Sequence, residues 1–396
     1  MEIALFTDSF LPTYDGVARV TGDLADALAR RGHSVRIYAP GGGRRSAPIE
    51  IRPSGVRVRR LRAVPVPLYG QYRWPVFPYL SLRGEGLSGA DVIHIHSPGG
   101  VGSLGFLTAR HYRTPLVGTF HTDLWAMRES LPQKWLVPLF FRCAWWFNLG
   151  LYWRCDRVTA PSRAAAEGLA ERARKPFRLP IQIIPNGIDT DRFSPDRRDP
   201  DWRAQGGWDD RPVVTYLARW TRDKGIHRFL DAVAEARPRR EFLAVLAGGG
   251  PEEAPVRERI AGDRRLRDRV RWVGPVAEEP KPSLLAASTI FVLPSVSDTG
   301  GIALLEAMAS GACAVALRQG GPAEIVADGE TGRLADPADP TALPRILTEL
   351  LDRPEDRERL ARAGLDWVRR TASVEVMTDR YLALYRAARD GVRVAL

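Results

Sequence analysis

The stretch "SVSDTGGIALLEAMASG", residues 295–311, sets Gly300 and Gly301 between two acids, Asp298 and Glu306, at the threshold of an apolar, helix-forming run. The preceding "TIFVLPS" is short, β-rich and almost wholly apolar. The whole reads as a buried strand, a tight turn and a helix opening near Gly301. A helix N-terminus carries unpaired N–H groups and the positive end of the helix dipole, and glycines let an anion approach them closely. The chemistry expected here is phosphate binding. Arg219 and Lys224, in "LARWTRDKG", follow another strand; a planar fork and a mobile point charge suit two cations converging on a diphosphate. Glu306, in the second turn of its helix, is either a dipole-stabilising acid or an acceptor for a ribose diol. His121, in "GTFHTDL", is either structural or placed to donate to a ligand or orient an acceptor. "LAGGGPE", with Gly248, reads equally well as a structural turn and as a ligand loop. No HExxH or multi-histidine spacing occurs, so no dedicated transition-metal site and no cofactor are expected.

These residues need elements to hold them. Short apolar strands alternate with helical patterns: "EIALFTDSF", the helix "VARVTGDLADALARRG", then "HSVRIYAP", "ADVIHIHSP", "PLVGTFHTD", "DRVTAPS" and "IQIIPNGID". A second series runs "PVVTYLARW", "EFLAVLAGGG", "RVRWVGPV", "TIFVLPS", "ACAVALR" and "TGRLADP". Such βαβ alternation implies an α/β fold of two Rossmann-like halves with parallel sheets. The expected domains are 1–190 and 212–374. Between them, 191–211 is rich in Asp, Pro and Gly and reads as a linker. Open parallel sheets bind ligands at the carboxyl ends of their strands. Two facing sheets would therefore put the active site in a deep interdomain cleft. Five unusual loops fall on that edge: those of Asp15-Gly16, His121, Arg219 with Lys224, Gly248–Gly250, and the opening motif.

The chain has 396 residues, 44% hydrophobic and 27% charged, with no dominant low-complexity segment. The net charge of +11 is diffuse and dominated by Arg. No RRM, zinc-finger or helix-turn-helix signature accompanies it, so no nucleic-acid partner is expected. Cys143, Cys155 and Cys313 form no CxxC pair, which favours a reducing compartment. The opening "MEIALFTDSF" has no basic n-region or cleavage site, and the expected location is cytoplasmic. Residues 41–55 read as a surface loop. Residues 132–155 lack an acid and carry Trp135, Arg142, Trp146, Leu149 and Trp153 at helical spacing. That face suits either an anionic membrane surface, on the inner side of the cell membrane, or a core beneath the acceptor region. Arg142, Asn148 and Pro138 argue against a spanning helix.

Taken in order, "DGVARV", "RRGHSV", "HTD", "PNGID", "LARWTRDKG", "LAGGGPE", "WVGPV" and "SDTGGIALLEAMASG" resemble the retaining, nucleotide-sugar-dependent glycosyltransferases of family 4, with the GT-B fold, over nearly the whole chain. The resemblance implies a diphosphate clamp of Arg219 and Lys224 and a phosphate cradle of the Gly300, Gly301 and Ile302 amides. It assigns Glu306, the second acid of an E-x7-E motif, to the ribose. Gly16 nears the donor phosphate, His121 lies beside donor sugar and acceptor, and the loop of Val276 contacts the base. The last helix, about 375–396, returns to the first domain. One departure stands out: the motif's first glutamate is Asp298, and the usual aromatic-Gly is Gly300-Gly301. The reaction implied is metal-independent transfer of a hexose-type sugar from a nucleotide diphosphate donor to an acceptor hydroxyl of a glycolipid, polysaccharide or natural product, with Asp298 meeting the sugar. A non-catalytic nucleotide-sugar or anion-binding protein is the alternative. An NAD enzyme is disfavoured, because no GxGxxG follows the first strand.

Overall fold

The computed structural model describes residues 1–13, 15–41, 49–66, 69–75, 87–121, 137–173, 175–199, 208 and 210–391. The chain divides into two compact units, Met1–Gly187 with the stretch from Val374 onward, and Ile188–Ser373.

Unit 1 is built on β1 (Glu2–Phe6), β2 (Ser34–Pro40), β3 (Glu50–Ile51), β4 (Arg57–Leu61), β5 (Ala63–Val66), β6 (Tyr69–Pro75), β7 (Val92–Ile95), β8 (Leu116–Thr119), β9 (Arg157–Ala160) and β10 (Gln182–Ile183). Eight of these form one sheet in the order β10-β9-β8-β7-β1-β2-β4-β3, while β5 and β6 pair separately. Only β3 runs antiparallel in the large sheet, on its edge. Strands β1 and β7 through β9 are short and almost wholly buried, as central strands covered on both faces are. Helices α1 (Gly16–Arg30), α2 (Gly100–Tyr112) and α3 (Val137–Tyr152) follow β1, β7 and β8.

Unit 2 is built on β11 (Val213–Leu217), β12 (Leu243–Ala247), β13 (Val270–Gly274), β14 (Ile290–Leu293), β15 (Cys313–Leu317) and β16 (Gly332–Ala335), all parallel, in the order β13-β12-β11-β14-β15-β16. Its helices include α4 (Ile226–Glu235), α5 (Lys281–Ala286) and α6 (Ile302–Ala309). The chain moves outward one way through β11, β12 and β13, then restarts beside β11 with β14. That reversal is the topological switch point at which open α/β sheets bind ligands. Unit 1 has the same device between β1 and β7.

All six strands expected in unit 2 are present. In unit 1 the pattern reading passed over β4, whose "VRVRRL" hides a strand behind arginines. Val58 is buried, and so is Arg60, which pairs with Glu50 across the β3–β4 ladder. The 41–55 stretch is therefore not simply a loop; its residues 42–48 lie outside the described residues. Residues 188–199, around the start of the expected linker, pack on unit 2. Phe193 is fully buried among Leu285, Leu293 and Leu304, and Arg192 pairs with Glu278. The aromatic stripe of 132–155 falls largely on α3. Leu149 is buried, and Trp146 and Trp153 pack on the unit 1 core beside Trp145 and Tyr152. Arg142 is exposed, and Trp135 lies outside the described residues. The stripe mostly faces the core. Among the described residues, no helix is long and apolar enough to cross a membrane.

The helix α7 (Val374–Arg389) belongs to unit 1, with Tyr381 and Tyr385 buried over β7 and β8.

Candidate active site

The loops after β11 and β14 lie side by side at the unit 2 switch point and are tied together by Asp223. Its carbonyl accepts from Val296 N (3.0 Å) and Ser295 Oγ (3.1 Å), and its carboxylate accepts from Ser297 Oγ (2.6 Å). Lys224, the next residue, is thereby aimed across the gap: its Nζ donates to Asp298 Oδ2 at 2.8 Å. Asp298 Oδ1 accepts from the amides of Gly300 (3.1 Å) and Gly301 (2.6 Å). Gly301 caps α6 with φ +55, and a Cβ there would come within 2.6 Å of Ile325. Only glycine fits that corner. Burial alone would raise the Asp298 carboxyl, but the Lys224 ammonium and the two amides outweigh it and hold the group below the usual carboxylate range.

Lys224 and the Gly300 and Gly301 amides thus converge on a single anion, the carboxylate of Asp298, and Ile302 begins the helix behind them. The expectation had these groups on a diphosphate and Asp298 apart from them. In the structure Lys224 and the two amides meet on the Asp298 carboxylate itself. Arg219 is exposed on the same edge, and its guanidinium has no partner among the described residues.

Glu306 lies farther along α6, 1% exposed, and accepts from Lys281 Nζ at 3.0 Å. Lys281 also bonds Glu278 (2.7 Å), which bonds Arg192 (2.8 Å). The result is a chain of alternating charges running from α6 through α5 to the start of unit 2. Removing one member of such a buried pair costs about 3–5 kcal/mol, because the other charge is left uncompensated. Gly248 has φ +118, and a Cβ would meet the Ala218 carbonyl at 2.1 Å, so packing alone demands glycine there. Val276 is half-buried against Val245 and Leu284.

In unit 1, Gly16 is the first residue of α1, capped by Asp15, whose Oδ1 accepts from Ala18 N at 2.8 Å. His121 follows β8, and its Nε2 lies 3.0 Å from Nδ1 of His96. Three groups here escaped the sequence reading. His94 bonds Tyr385 OH and Thr119 Oγ1, both at 2.7 Å, and the His96 ring packs beside it, tilted by 37° with ring centroids 4.0 Å apart. Asp8, past the end of β1, reaches the start of α2 and accepts from the amides of Val101 (2.7 Å) and Gly102 (3.3 Å). It replaces the cap that Gly99 has no side chain to supply. The histidine pair had a usable signal: "HIH" puts two imidazoles on one face of an otherwise apolar strand.

Burial pushes His121 down to about 4 and His94 and His96 well below the usual 6.5, while it pushes Asp8 up to about 6 against its hydrogen bonds. Acidification should therefore destabilise unit 1. As pH falls through 6.5 the unfolded chain takes up protons that the folded histidines refuse, and stability is lost until the folded values are reached. Asp8 acts with the opposite sign, since its folded carboxyl protonates first, at about 6, and recovers stability below that pH. Three depressed groups outweigh one raised group. The melting temperature should fall by several degrees between pH 7.5 and pH 5; a rise over that range would mean Asp8 dominates.

Residues 14–192 match the family described as Glycosyltransferase Family 4, and residues 198–367 match Glycosyl transferases group 1. A GDP-mannose-dependent alpha-mannosyltransferase of Mycolicibacterium smegmatis is 31% identical over 355 residues, with 89% of each chain covered. The chain is a family 4 glycosyltransferase. Another relative of this transferase is the alpha-D-kanosaminyltransferase of Streptomyces kanamyceticus, 29% identical with 84% of this chain and 89% of that one covered. Among solved structures, Anabaena HepE in complex with UDP superposes with a TM-score of 0.74 at 22% identity, covering 98% of this chain and all of that one. A sucrose-phosphate synthase from Thermosynechococcus elongatus gives 0.76 at 22% identity, covering 99% and 100%. These likenesses establish the GT-B fold, with its two Rossmann-like domains.

Proposed function

We propose that this glycosyltransferase moves a hexose from a nucleoside diphosphate donor to an acceptor hydroxyl with retention of configuration, and that the donor is GDP-mannose. The observation that carries the reading is the convergence of Lys224 and two α6 amides on one anion at the unit 2 switch point. A donor diphosphate would take those groups, joined by the exposed Arg219. Glu306 serves the ribose, the Val276 loop the base, and Asp298 the sugar. Gly16 serves the donor phosphate, and His121 serves sugar and acceptor. The choice of mannose is supported by relatives named as GDP-mannose-dependent, at 31% and 28% identity.

The chemistry asked of the protein is positioning and charge stabilisation. The anomeric carbon–oxygen bond to the diphosphate breaks, the acceptor oxygen bonds to that carbon from the same face, and the acceptor proton passes to the leaving phosphate. Lys224, Arg219 and the helix terminus balance the charge that develops there, without a metal. Purified protein tested against GDP-mannose, UDP-glucose and dTDP-glucose should hydrolyse or transfer from GDP-mannose fastest, and EDTA should leave the rate unchanged. Tight nucleotide binding without turnover of any donor would replace the reading by a binding protein, and a strict need for added Mg or Mn would end the metal-free mechanism.

A further inference from the structure

Of the three histidines gathered in unit 1, the proposed reaction uses only His121. His96 is fully buried, and its Nδ1 lies 3.0 Å from His121 Nε2 with the two rings stacked. Its other nitrogen, Nε2, is buried with no hydrogen-bond partner among the described residues. His94 offers none, because both of its nitrogens are taken by Tyr385 and Thr119. Burial keeps all three rings neutral near pH 7.

A neutral imidazole has one N–H and one bare lone pair, so the His96–His121 hydrogen bond allows two arrangements. If His121 donated from Nε2, the His96 proton would sit on its own Nε2, an N–H sealed in the core with nothing to bond. If His96 donates from Nδ1, the orphan is only a lone pair. Buried, orphaned N–H groups are the rarer defect, and an unmet donor carries its full desolvation cost. The second arrangement wins.

We propose that His96 is a positioning residue that fixes His121 in the tautomer protonated on Nδ1, with Nε2 held as the acceptor of the His96 proton. His121 then has no basic nitrogen left for the acceptor hydroxyl. It can orient or polarise a substrate but not deprotonate one, and the acceptor proton must leave by the phosphate. The consequence for transfer rests on the reading that His121 serves sugar and acceptor; the tautomer does not.

The test is a long-range proton–nitrogen correlation spectrum of the full-length protein labelled with 15N-histidine, its six histidines assigned by single substitutions. His121 and His96 should each show a protonated Nδ1 and a bare Nε2. His96→Phe should turn His121 into a tautomer mixture and lower kcat roughly tenfold with little change in donor KM. His96→Asn, whose amide N–H can stand in for the Nδ1 proton, should restore most of both. A protonated His121 Nε2 in the unsubstituted protein overturns the proposal, and that spectrum needs no variant to fold. An unchanged His121 pattern in a folded His96→Phe protein overturns it too. Full turnover in His121→Ala, with the expected spectrum, would instead sink the role of His121 in transfer while leaving the tautomer assignment standing.

Discussion

Lys224→Ala should lower kcat/KM by roughly a hundredfold or more, with most of the loss in kcat. The side chain is three-quarters buried, tethered through Asp223 to the neighbouring loop, and already bonded to an anion at 2.8 Å. A charge held in that way needs no reorganisation when negative charge builds on a leaving diphosphate, and this is the condition under which one donor is worth orders of magnitude. Arg219→Ala should cost less, because its guanidinium is exposed and must be ordered by the ligand. Steady-state kinetics with the donor that turns over fastest gives the answer. Near-wild-type turnover in Lys224→Ala would remove the cation from the reaction.

Asp298→Ala should move binding and turnover in opposite directions. Asp298 is an ionised internal competitor, holding the same ammonium and the same two amides that a diphosphate would need. Deleting it leaves those donors unmet, so nucleoside diphosphate binding should tighten severalfold, whereas transfer should fall roughly ten- to a hundredfold because the sugar loses its acid. Asp298→Glu should reorder the donor sugars, since a longer acid reaches farther. Glu306→Ala provides the contrast: nucleotide binding should weaken, and the protein should melt earlier because Lys281 keeps only Glu278. Calorimetric titration of the nucleotide beside a donor panel separates the two acids. If Asp298→Ala loses nucleotide binding as badly as Glu306→Ala, the carboxylate is part of the binding site rather than its rival.

Much of the architecture was legible because periodicity is a local property. Each unit 2 strand is a run of four or five residues, apolar in the main, and every loop singled out for chemistry follows a strand. What stayed hidden were partners. Lys224 and Asp298 are 74 positions apart and Tyr385 and His94 are 291 apart. No spacing rule relates residues brought together only by sheet order or by a helix that returns to an earlier sheet. The reading of Glu306 shows the same gap: its place on a helix was plain, but its buried ion pair depends on Lys281, a residue with no motif around it. Strand β4 was missed for a different reason, because charged residues alternating with valine look like surface until Arg60 is seen buried against Glu50.

The return of α7 to unit 1 sets an order on synthesis. Tyr385 bonds His94, and Tyr381 bonds Thr119 at 3.1 Å, so β7 and β8 carry buried polar groups whose partners are synthesised only after the whole of unit 2. Unit 2, contained wholly in Ile188–Ser373, has all its own strands on hand before that. Unit 1 is thus begun before unit 2 and completed after it, and during that interval His94 and Thr119 lack the tyrosine hydroxyls they bond in the folded chain.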